Sequence, residues 1–190
     1  MSKLVVISGP SGTGKGTVVK ELLNIYKEHD DKVHLSVSAT TRLPREGEVD
    51  GVNYYFIKED EFLKKINEND FLEHNMYGTG KYYGTLRSEV LKKLSEGYDV
   101  ILEIDVNGYK QIITNYDDVL GIFIMPPSLE VLEQRLRDRG TETEENIKKR
   151  LKTAKEEIEN KEIYPHIVIN EDGKVFEAAN EIYSIIKNCE

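Results

Sequence analysis

Several features that define whole classes of protein are missing from this sequence. Its 190 residues include a single cysteine, Cys189, which leaves no partner for an internal disulfide and favours a reducing compartment. No apolar run approaches the length of a membrane span, and the first residues do not form a signal peptide. We therefore expect a cytoplasmic protein that does not bind membranes.

Positive charge is also scarce, since 26 basic residues face 35 acidic ones and the net charge is −9. This balance argues against a nucleic-acid surface, so any polyanion must be held by local charge. Six of the seven arginines fall in two short regions: Arg42 and Arg45, then Arg135, Arg137, Arg139 and Arg150. Because the planar guanidinium group suits phosphate, these clusters indicate sites for a phosphorylated ligand.

A glycine-rich stretch follows the apolar run 4–7 and precedes a helical pattern. Its residues are Gly9, Pro10, Ser11, Gly12, Thr13, Gly14, Lys15, Gly16 and Thr17. The GxxxxGK pattern between a strand and a helix is typical of a phosphate-binding loop, where backbone N–H groups and a lysine hold a nucleoside triphosphate. An ordinary glycine-rich turn is the plainer alternative. Gly16 stands where such loops usually carry the Ser or Thr that coordinates magnesium, so the direct metal ligands stay open.

The remaining pattern predicts one α/β domain with a three-layer core, in which a parallel sheet is flanked by helices. Further core strands are expected at 33–37, 99–105, 119–124 and 165–170. Short aromatic and β-branched runs at 52–57 and 71–77 predict a small mixed sheet within an insertion at 36–86. A helix followed by a second, strongly charged helix predicts an exposed, movable hairpin within another insertion at 127–160. The core then comprises 1–35, 87–126 and 161–190.

Two groups of charged residues near the predicted core each allow two interpretations. Glu103 and Asp105 lie at the end of an apolar strand, where both can face the loop, but Asp105 can equally cap the next helix. Arg42 and Arg45 are separated by a stretch containing Pro44, which can make the two guanidinium groups converge on one anion. A solvated loop is the alternative for these arginines.

The arginines of this hairpin are predicted to differ in direction. Arg135 and Arg139 are four residues apart and share a helical face, whereas Arg137 points away. We expect Arg137 to form salt bridges with nearby acids and the other two to meet an anion. Arg150, on the following helix, can reach the same anion if the two helices form a hairpin.

Together these stretches resemble the guanylate kinase family over essentially the whole chain. The resemblance rests on the loop and on residues 36–48, 71–73, 82–85, 102–105 and 139–144. It implies a core with a nucleotide-monophosphate-binding insertion and an arginine-bearing lid. It also implies transfer of the γ-phosphoryl group of ATP to GMP, and to dGMP as a second substrate, with Mg²⁺ accompanying ATP.

The resemblance further implies roles for individual residues. Lys15, Arg42, Arg135, Arg139 and Arg150 would be catalytic, and the loop 9–17 together with Asn170 would bind ATP. The GMP side would comprise Ser38, Arg42, Arg45, Tyr54, Glu73, Tyr83, Thr85, Glu103 and Asp105. Within that group the carboxylate of Glu73 would accept from the adjacent donors of guanine and discriminate against adenine. ATP and GMP are then the expected partners, with no nucleic acid and no obligate protein partner.

Two alternatives use the same scaffold. A non-catalytic guanylate-kinase-like module would bind other proteins, and it would be expected to lose Lys15 or the lid arginines. A kinase of a different small phosphate acceptor would keep them. Measuring turnover with a panel of nucleoside monophosphates distinguishes all three.

Overall fold

The computed structural model describes residues 2–77, 80–138, 140 and 143–189. Within these residues the strands are β1 (Leu4–Ser8), β2 (Val33–Leu35), β3 (Ala39–Thr40), β4 (Tyr55–Phe56), β5 (Phe71–Tyr77), β6 (Lys81–Leu86), β7 (Asp99–Glu103), β8 (Val119–Met125) and β9 (His166–Ile169). The helices are α1 (Lys15–Glu28), α2 (Glu59–Asn67), α3 (Arg87–Ser95), α4 (Val106–Asn115), α5 (Leu129–Asp138), α6 (Glu144–Glu159) and α7 (Val175–Asn188).

The central sheet is parallel, with the strand order β2-β7-β1-β8-β9 among the described residues. Its middle strand, β1, is buried along its whole length. Val5 and Ile7 pack with α1 and α7 on one face, while Val6 packs with α4 on the other. Because both faces are covered, the strands are continuous apolar runs rather than alternating ones. The predicted three-layer α/β core is confirmed.

A second, smaller sheet has the order β4-β3-β6-β5 and contains both parallel and antiparallel pairs. It has its own apolar cluster, in which Phe62 of α2 stacks on Phe71 at 4.3 Å between ring centroids. The mixed sheet predicted within 36–86 is therefore present. The division of the chain into core, insertion and lid as functional units stays a prediction.

Helices α5 and α6 pack on each other through the buried side chains Leu132, Leu136, Ile147 and Ala154. Thr143 caps α6, since its hydroxyl accepts from the backbone N–H of Asn146 at 3.3 Å. The pair thus forms the expected helical hairpin. Among the described residues, no helix combines the length and the apolar character needed to cross a membrane.

Some elements are shorter than predicted, for local reasons. The strand expected at 99–105 ends at Glu103, because Asp105 caps α4 by accepting from the N–H of Gly108 at 2.8 Å. The strand expected at 52–57 is reduced to β4, because Val49 accepts backbone hydrogen bonds from Val52 and Asn53 and closes a turn. The strand expected at 33–37 ends at Leu35.

Candidate active site

The glycine-rich loop lies between β1 and the start of α1, as predicted. Gly9 has a φ of +148°, and a Cβ built there would lie 2.2 Å from the carbonyl oxygen of Ile124 on β8, so only glycine fits. Lys15 Nζ donates to the carbonyl oxygens of Gly9 at 2.6 Å and Pro10 at 3.2 Å. The ammonium group therefore lies over the loop, where it can meet a phosphate.

Arg135 and Asn170 support the far side of the loop. Both donate to the carbonyl oxygen of Thr13, at 3.2 Å and 2.7 Å. Arg135 also forms an ion pair with Asp172 at 2.5 Å. These side chains line a hollow that includes Gly14 and is separate from a second, larger cavity. Arg135 thus meets an acid that the sequence interpretation did not consider.

This second cavity has a volume of about 650 Å³ and is lined by four parts of the chain. Lining residues include Gly9, Ser11 and Lys15 from the loop; Ser38, Tyr54, Glu73, Tyr77 and Tyr83 from the predicted insertion; Glu103 at the end of β7 and Asp105 after it; and Arg150 and Glu157 from α6. Six of the nine residues predicted for GMP therefore face the same space as three of the ten predicted for ATP.

Glu73 is the buried acid of this cavity, with 6% of the residue exposed. The pKa of its carboxyl group is raised to about 7, mainly by burial; the hydrogen bond from Thr85 opposes this rise, and the nearby charge of Asp105 adds to it. The Thr85 hydroxyl donates to Oε1 at 2.7 Å. Thr85 itself is 1% exposed and lies behind Glu73 rather than in the cavity lining.

Asp105 forms the helix cap that the sequence allowed, and it also lines the cavity. Its Oδ1 caps α4, and its Oδ2 accepts from the hydroxyl of Tyr77 at 2.6 Å while the residue lines the cavity. Glu103 is exposed at the end of β7 and lines the same cavity. It also borders a smaller hollow beside Gly16 and Thr17.

Arg42 and Arg45 are organised around one acid, Glu48. The guanidinium group of Arg42 makes two hydrogen bonds of 2.9 Å to its carboxylate, and the backbone N–H of Arg45 donates to it at 2.7 Å. The bond from Arg42 is the main reason that the pKa of Glu48 is lowered. Arg42 lies over the ring of Tyr54, 5.4 Å from its centroid, at the rim of the cavity. The side chain of Arg45 is exposed.

Helix α6 contributes residues of opposite charge. Arg150 Nη1 lies 3.5 Å from the Ser11 hydroxyl, and Glu157, two turns further along α6, lines the same cavity. Burial raises the pKa of Glu157, and the positive charge of Lys15 opposes this rise. Arg137 points away and pairs with Glu133 and Glu144, as predicted. Arg139 lies outside the described residues.

The sequence interpretation missed Tyr77, Glu48, Glu157 and Asp172. Periodicity could have found two of them. Tyr77 is four residues from Glu73 on one strand, so both face the same side. Glu157 is seven residues from Arg150 on one helix, so the two share a face. For Asp172 and Glu48, no periodic signal in the sequence indicates their partners.

A parallel sheet with a phosphate-binding loop after its middle strand makes this chain a member of the P-loop class of nucleotide-binding proteins. Comparison with known proteins narrows the class. The profile of the guanylate kinase family matches residues 1–188. The chain is 52% identical to a guanylate kinase of Clostridium tetani over 184 residues, covering 96% of this chain and 84% of that relative. It therefore belongs to the guanylate kinase family.

Other relatives agree. A guanylate kinase of Prochlorococcus marinus subsp. pastoris is 47% identical over 188 residues, which covers 99% of this chain and 98% of the relative. The crystal structure of guanylate kinase from Anaplasma phagocytophilum superposes with a TM-score of 0.75 at 32% identity. That match covers 98% of this chain and 85% of the other.

Proposed function

We propose that the chain transfers the γ-phosphoryl group of ATP to GMP, giving ADP and GDP. The observation that carries this proposal is one cavity shared by the phosphate-binding loop and the buried carboxylate of Glu73. A loop of this kind holds the phosphates of a donor, and a carboxylate accepts from two adjacent donors on an acceptor base. Family membership supports the same reaction.

Glu73 would read guanine through N1–H and the exocyclic amine, with Ser38 as a second base contact. Adenine presents an acceptor at N1, so an ionised Glu73 would repel it. Thr85 would act on the base through its hydrogen bond to Glu73, by which it lowers the carboxyl pKa. Glu103 and Asp105 would complete this side of the cavity.

The phosphate of GMP would take the place that Glu48 now occupies against Arg42. A dianionic phosphate offers more acceptor oxygens than one carboxylate, so Arg42 and Arg45 can turn from Glu48 to the ligand. The hydroxyls of Tyr54 and Tyr83 lie at the same rim and would add donors. This arrangement binds the acceptor phosphate facing the loop.

On the donor side, the loop 9–17 would hold the ATP phosphates. Asn170 Oδ1 is buried and lacks a hydrogen-bond partner within the described residues, so it suits the amino group of adenine. Lys15 and Arg150, with Arg135 and Arg139 once the lid closes, would neutralise the charge that develops on the transferring phosphoryl group. No covalent intermediate is required, because positioning and electrostatics carry this reaction.

Mg²⁺ would accompany ATP in this proposal and, when bound, would supply positive charge against its phosphates. No group of three or more potential metal ligands occurs among the residues that the structure describes. This fits Mg²⁺, which uses one or two protein oxygens with water and substrate phosphates. Glu103 and Thr17 border one hollow beside the loop and offer such oxygens. Asp105 is less suited, because both of its oxygens already accept hydrogen bonds.

We assign the insertion at 36–86 to acceptor binding and the lid at 127–160 to closure over the donor. The rest of the chain is then the core. dGMP would be a second acceptor. We also propose that the protein is cytoplasmic and that it has no nucleic-acid, membrane or obligate protein partners. The comparisons give no support to a non-catalytic module.

The test is ADP release from ATP with GMP, dGMP, IMP, AMP, CMP and UMP as acceptors. We expect turnover with GMP and dGMP and at least about a hundredfold lower kcat/KM with AMP. Circular dichroism would verify that the protein is folded. Folded protein without GMP-dependent ADP release would contradict the proposal, and preferential turnover of another monophosphate would favour a different acceptor.

A further inference from the structure

One face of α4 runs along the open edge of β5. Strand β5 is the last in the small sheet, so one of its edges has no neighbouring strand among the residues that the structure describes. Such an edge presents backbone N–H and C=O groups that need other partners. Asp105, Gly108 and Gln111 follow one another at intervals of three residues and lie on successive turns facing this edge.

Gln111 takes the place of a neighbouring strand at one residue. Its Nε2 donates to the carbonyl oxygen of His74 at 2.9 Å, and the backbone N–H of His74 donates to its Oε1 at 3.1 Å. A primary amide carries a donor and an acceptor side by side, as a strand backbone does. Because His74 directly follows Glu73, this pair holds the backbone beside the buried acid.

Gly108 allows the close approach of Glu73 to the helix. A Cβ on Gly108 would lie 2.9 Å from Glu73 Oε2, closer than two such atoms can pack. One turn earlier, Asp105 binds the N–H of Gly108 through one oxygen and the hydroxyl of Tyr77 through the other. The cavity-facing part of β5 is therefore held by α4 at both ends, at His74 and at Tyr77.

A register shift lies just before this segment. Strand β5 pairs with β6 irregularly between Phe71 and Glu73, and such a bulge twists a strand and changes the aim of the next side chain. The pairing with β6 alone therefore leaves the direction of Glu73 sensitive to small movements. The contacts from α4 fix that direction from the other edge.

We propose that Gln111 and Tyr77 are positioning residues for the acceptor base, an inference that rests on the function proposed above. Gln111 sets how far the Glu73 carboxylate reaches into the cavity, because it holds the backbone of β5. Tyr77 sets the orientation of the Asp105 carboxylate. Gly108 provides the surface on which Glu73 lies. Neither positioning residue needs to touch the phosphates, so their effects fall on the base.

The base contact distinguishes this role from simple stabilisation of the fold. GMP offers two donors to Glu73, and IMP, which lacks the exocyclic amine, offers one. A displaced Glu73 loses the second hydrogen bond before the first, so the preference for GMP over IMP falls. Destabilisation of the whole protein would instead lower kcat/KM for GMP, IMP and ATP together.

The experiment compares Gln111→Ala, Tyr77→Phe and Gly108→Ala with the control Asn115→Ala. Asn115 is exposed on α4, one turn beyond Gln111, and its side chain donates within that helix. Steady-state kinetics with ATP, GMP and IMP give kcat and KM for each, and thermal melts show whether the variants are folded.

We expect Gln111→Ala to raise KM for GMP about five- to tenfold, with kcat and KM for ATP within about twofold of the wild type. Gly108→Ala has a similar effect because its methyl group displaces Glu73. Tyr77→Phe removes one hydroxyl and raises KM for GMP about two- to fivefold. In all three the ratio of kcat/KM for GMP over IMP falls, and Asn115→Ala leaves it unchanged.

Unchanged KM for GMP in folded Gln111→Ala, or an equal loss with ATP, GMP and IMP, would overturn the inference. If Gln111→Ala does not fold, Tyr77→Phe decides, since an unchanged GMP to IMP ratio there contradicts the proposal by itself. Wild-type protein without GMP-dependent turnover would instead overturn the proposed function. The two failures are thus distinguishable.

Discussion

At the phosphate end of the cavity, close packing adds to the hydrogen bonds by which Arg135 and Asn170 hold the loop. Gly9 lies against the backbone of β8, and Gly12 lies against the side chains of Leu132 and Leu136. At the base end the acid is held by polar contacts, from Thr85 to Glu73 and from Gln111 to the neighbouring backbone. The first anchor belongs to a sheet buried on both faces, and the second lies on the open edge of a small one.

This difference separates two kinds of failure. A packed interior responds to added volume by losing stability, because it cannot deform without breaking contacts elsewhere. A polar anchor at a sheet edge can be weakened while the strand stays paired on its other side. Changes at the phosphate end should therefore affect all substrates or the fold, whereas changes at the base end should affect only GMP.

The largest expected effect tests the phosphate end. Lys15→Ala should lower kcat about 10²- to 10³-fold with every acceptor, because the ammonium group balances charge in the transition state. ADP release with GMP and dGMP measures the loss, and calorimetry should show GMP binding within about threefold of the wild type. Lys20→Ala, at an exposed position of α1, is the matched control. A loss confined to one acceptor would break the distinction between the two ends.

The second prediction concerns stability at the same end. Gly9→Ala would bring a methyl group within 2.2 Å of the Ile124 carbonyl oxygen at a φ of +148°, and should cost at least about 2 kcal/mol of unfolding free energy. Urea unfolding measures this cost. Gly16→Ala is the control for stability, since nothing lies within 4 Å of its Cβ position. Equal stability of the two variants would show that the loop is not sterically anchored.

The same difference explains how much could be predicted from the sequence. The loop, α1 and the parallel strands are periodic apolar patterns, and burial on both faces makes such patterns readable. Individual acids in the cavity were identified mainly through the family resemblance. The contacts that hold them join positions far apart, such as Gln111 with His74 and Arg135 with Asp172, and no local pattern specifies those pairs.

The ends of the strands and helices were predicted less well, for the same reason. Asp105 has a side chain that can cap a helix, and the choice between strand and cap depends on its hydrogen bond to Gly108. The aromatic run 52–57 has strand character, yet its first half forms a turn that is closed by hydrogen bonds to the carbonyl oxygen of Val49. Competing polar contacts decided both cases.

The third prediction tests the base end. Glu73→Gln should weaken GMP binding about ten- to a hundredfold. The amide group of glutamine would place its own donor against one of the two guanine donors, and the charge-assisted hydrogen bond of the carboxylate would be lost. The dissociation constant of GMP by calorimetry measures it, and KM for ATP should stay within about twofold. Glu61→Gln, exposed on α2, is the control. Equal weakening of ATP would assign Glu73 a structural role instead.

The fourth prediction is the pH dependence of that interaction. Burial raises the pKa of Glu73 to about 7, and GMP binds the ionised form, so GMP affinity should increase with pH up to about 7 and then level off. The phosphate of GMP itself titrates near pH 6, and Glu73→Gln retains only that part of the dependence. Calorimetry between pH 5 and 9 compares the two proteins. Identical profiles would show that Glu73 does not titrate in this range.

Stability should change in the opposite direction when GMP is absent. The raised pKa means that the contribution of Glu73 to folding is fully present below its ordinary value of 4.5 and is lost as the pH rises through 7. Wild-type protein should therefore lose stability between these values relative to Glu73→Gln. Urea unfolding at pH 5 and pH 8 measures the difference.

The smallest expected effect separates two roles of Thr85. Its hydroxyl donates to Glu73 and lowers the pKa of that carboxyl group, so Thr85→Val should raise the pKa and leave less of the ionised form at pH 7. GMP should then bind about two- to fivefold more weakly at pH 7 and equally well at pH 9, where Glu73 is ionised in both proteins. Thr114→Val, exposed on α4, controls for the substitution. A defect that persists at pH 9 would instead mean that the hydroxyl contacts the base directly, because a lost contact does not recover when its neighbour ionises.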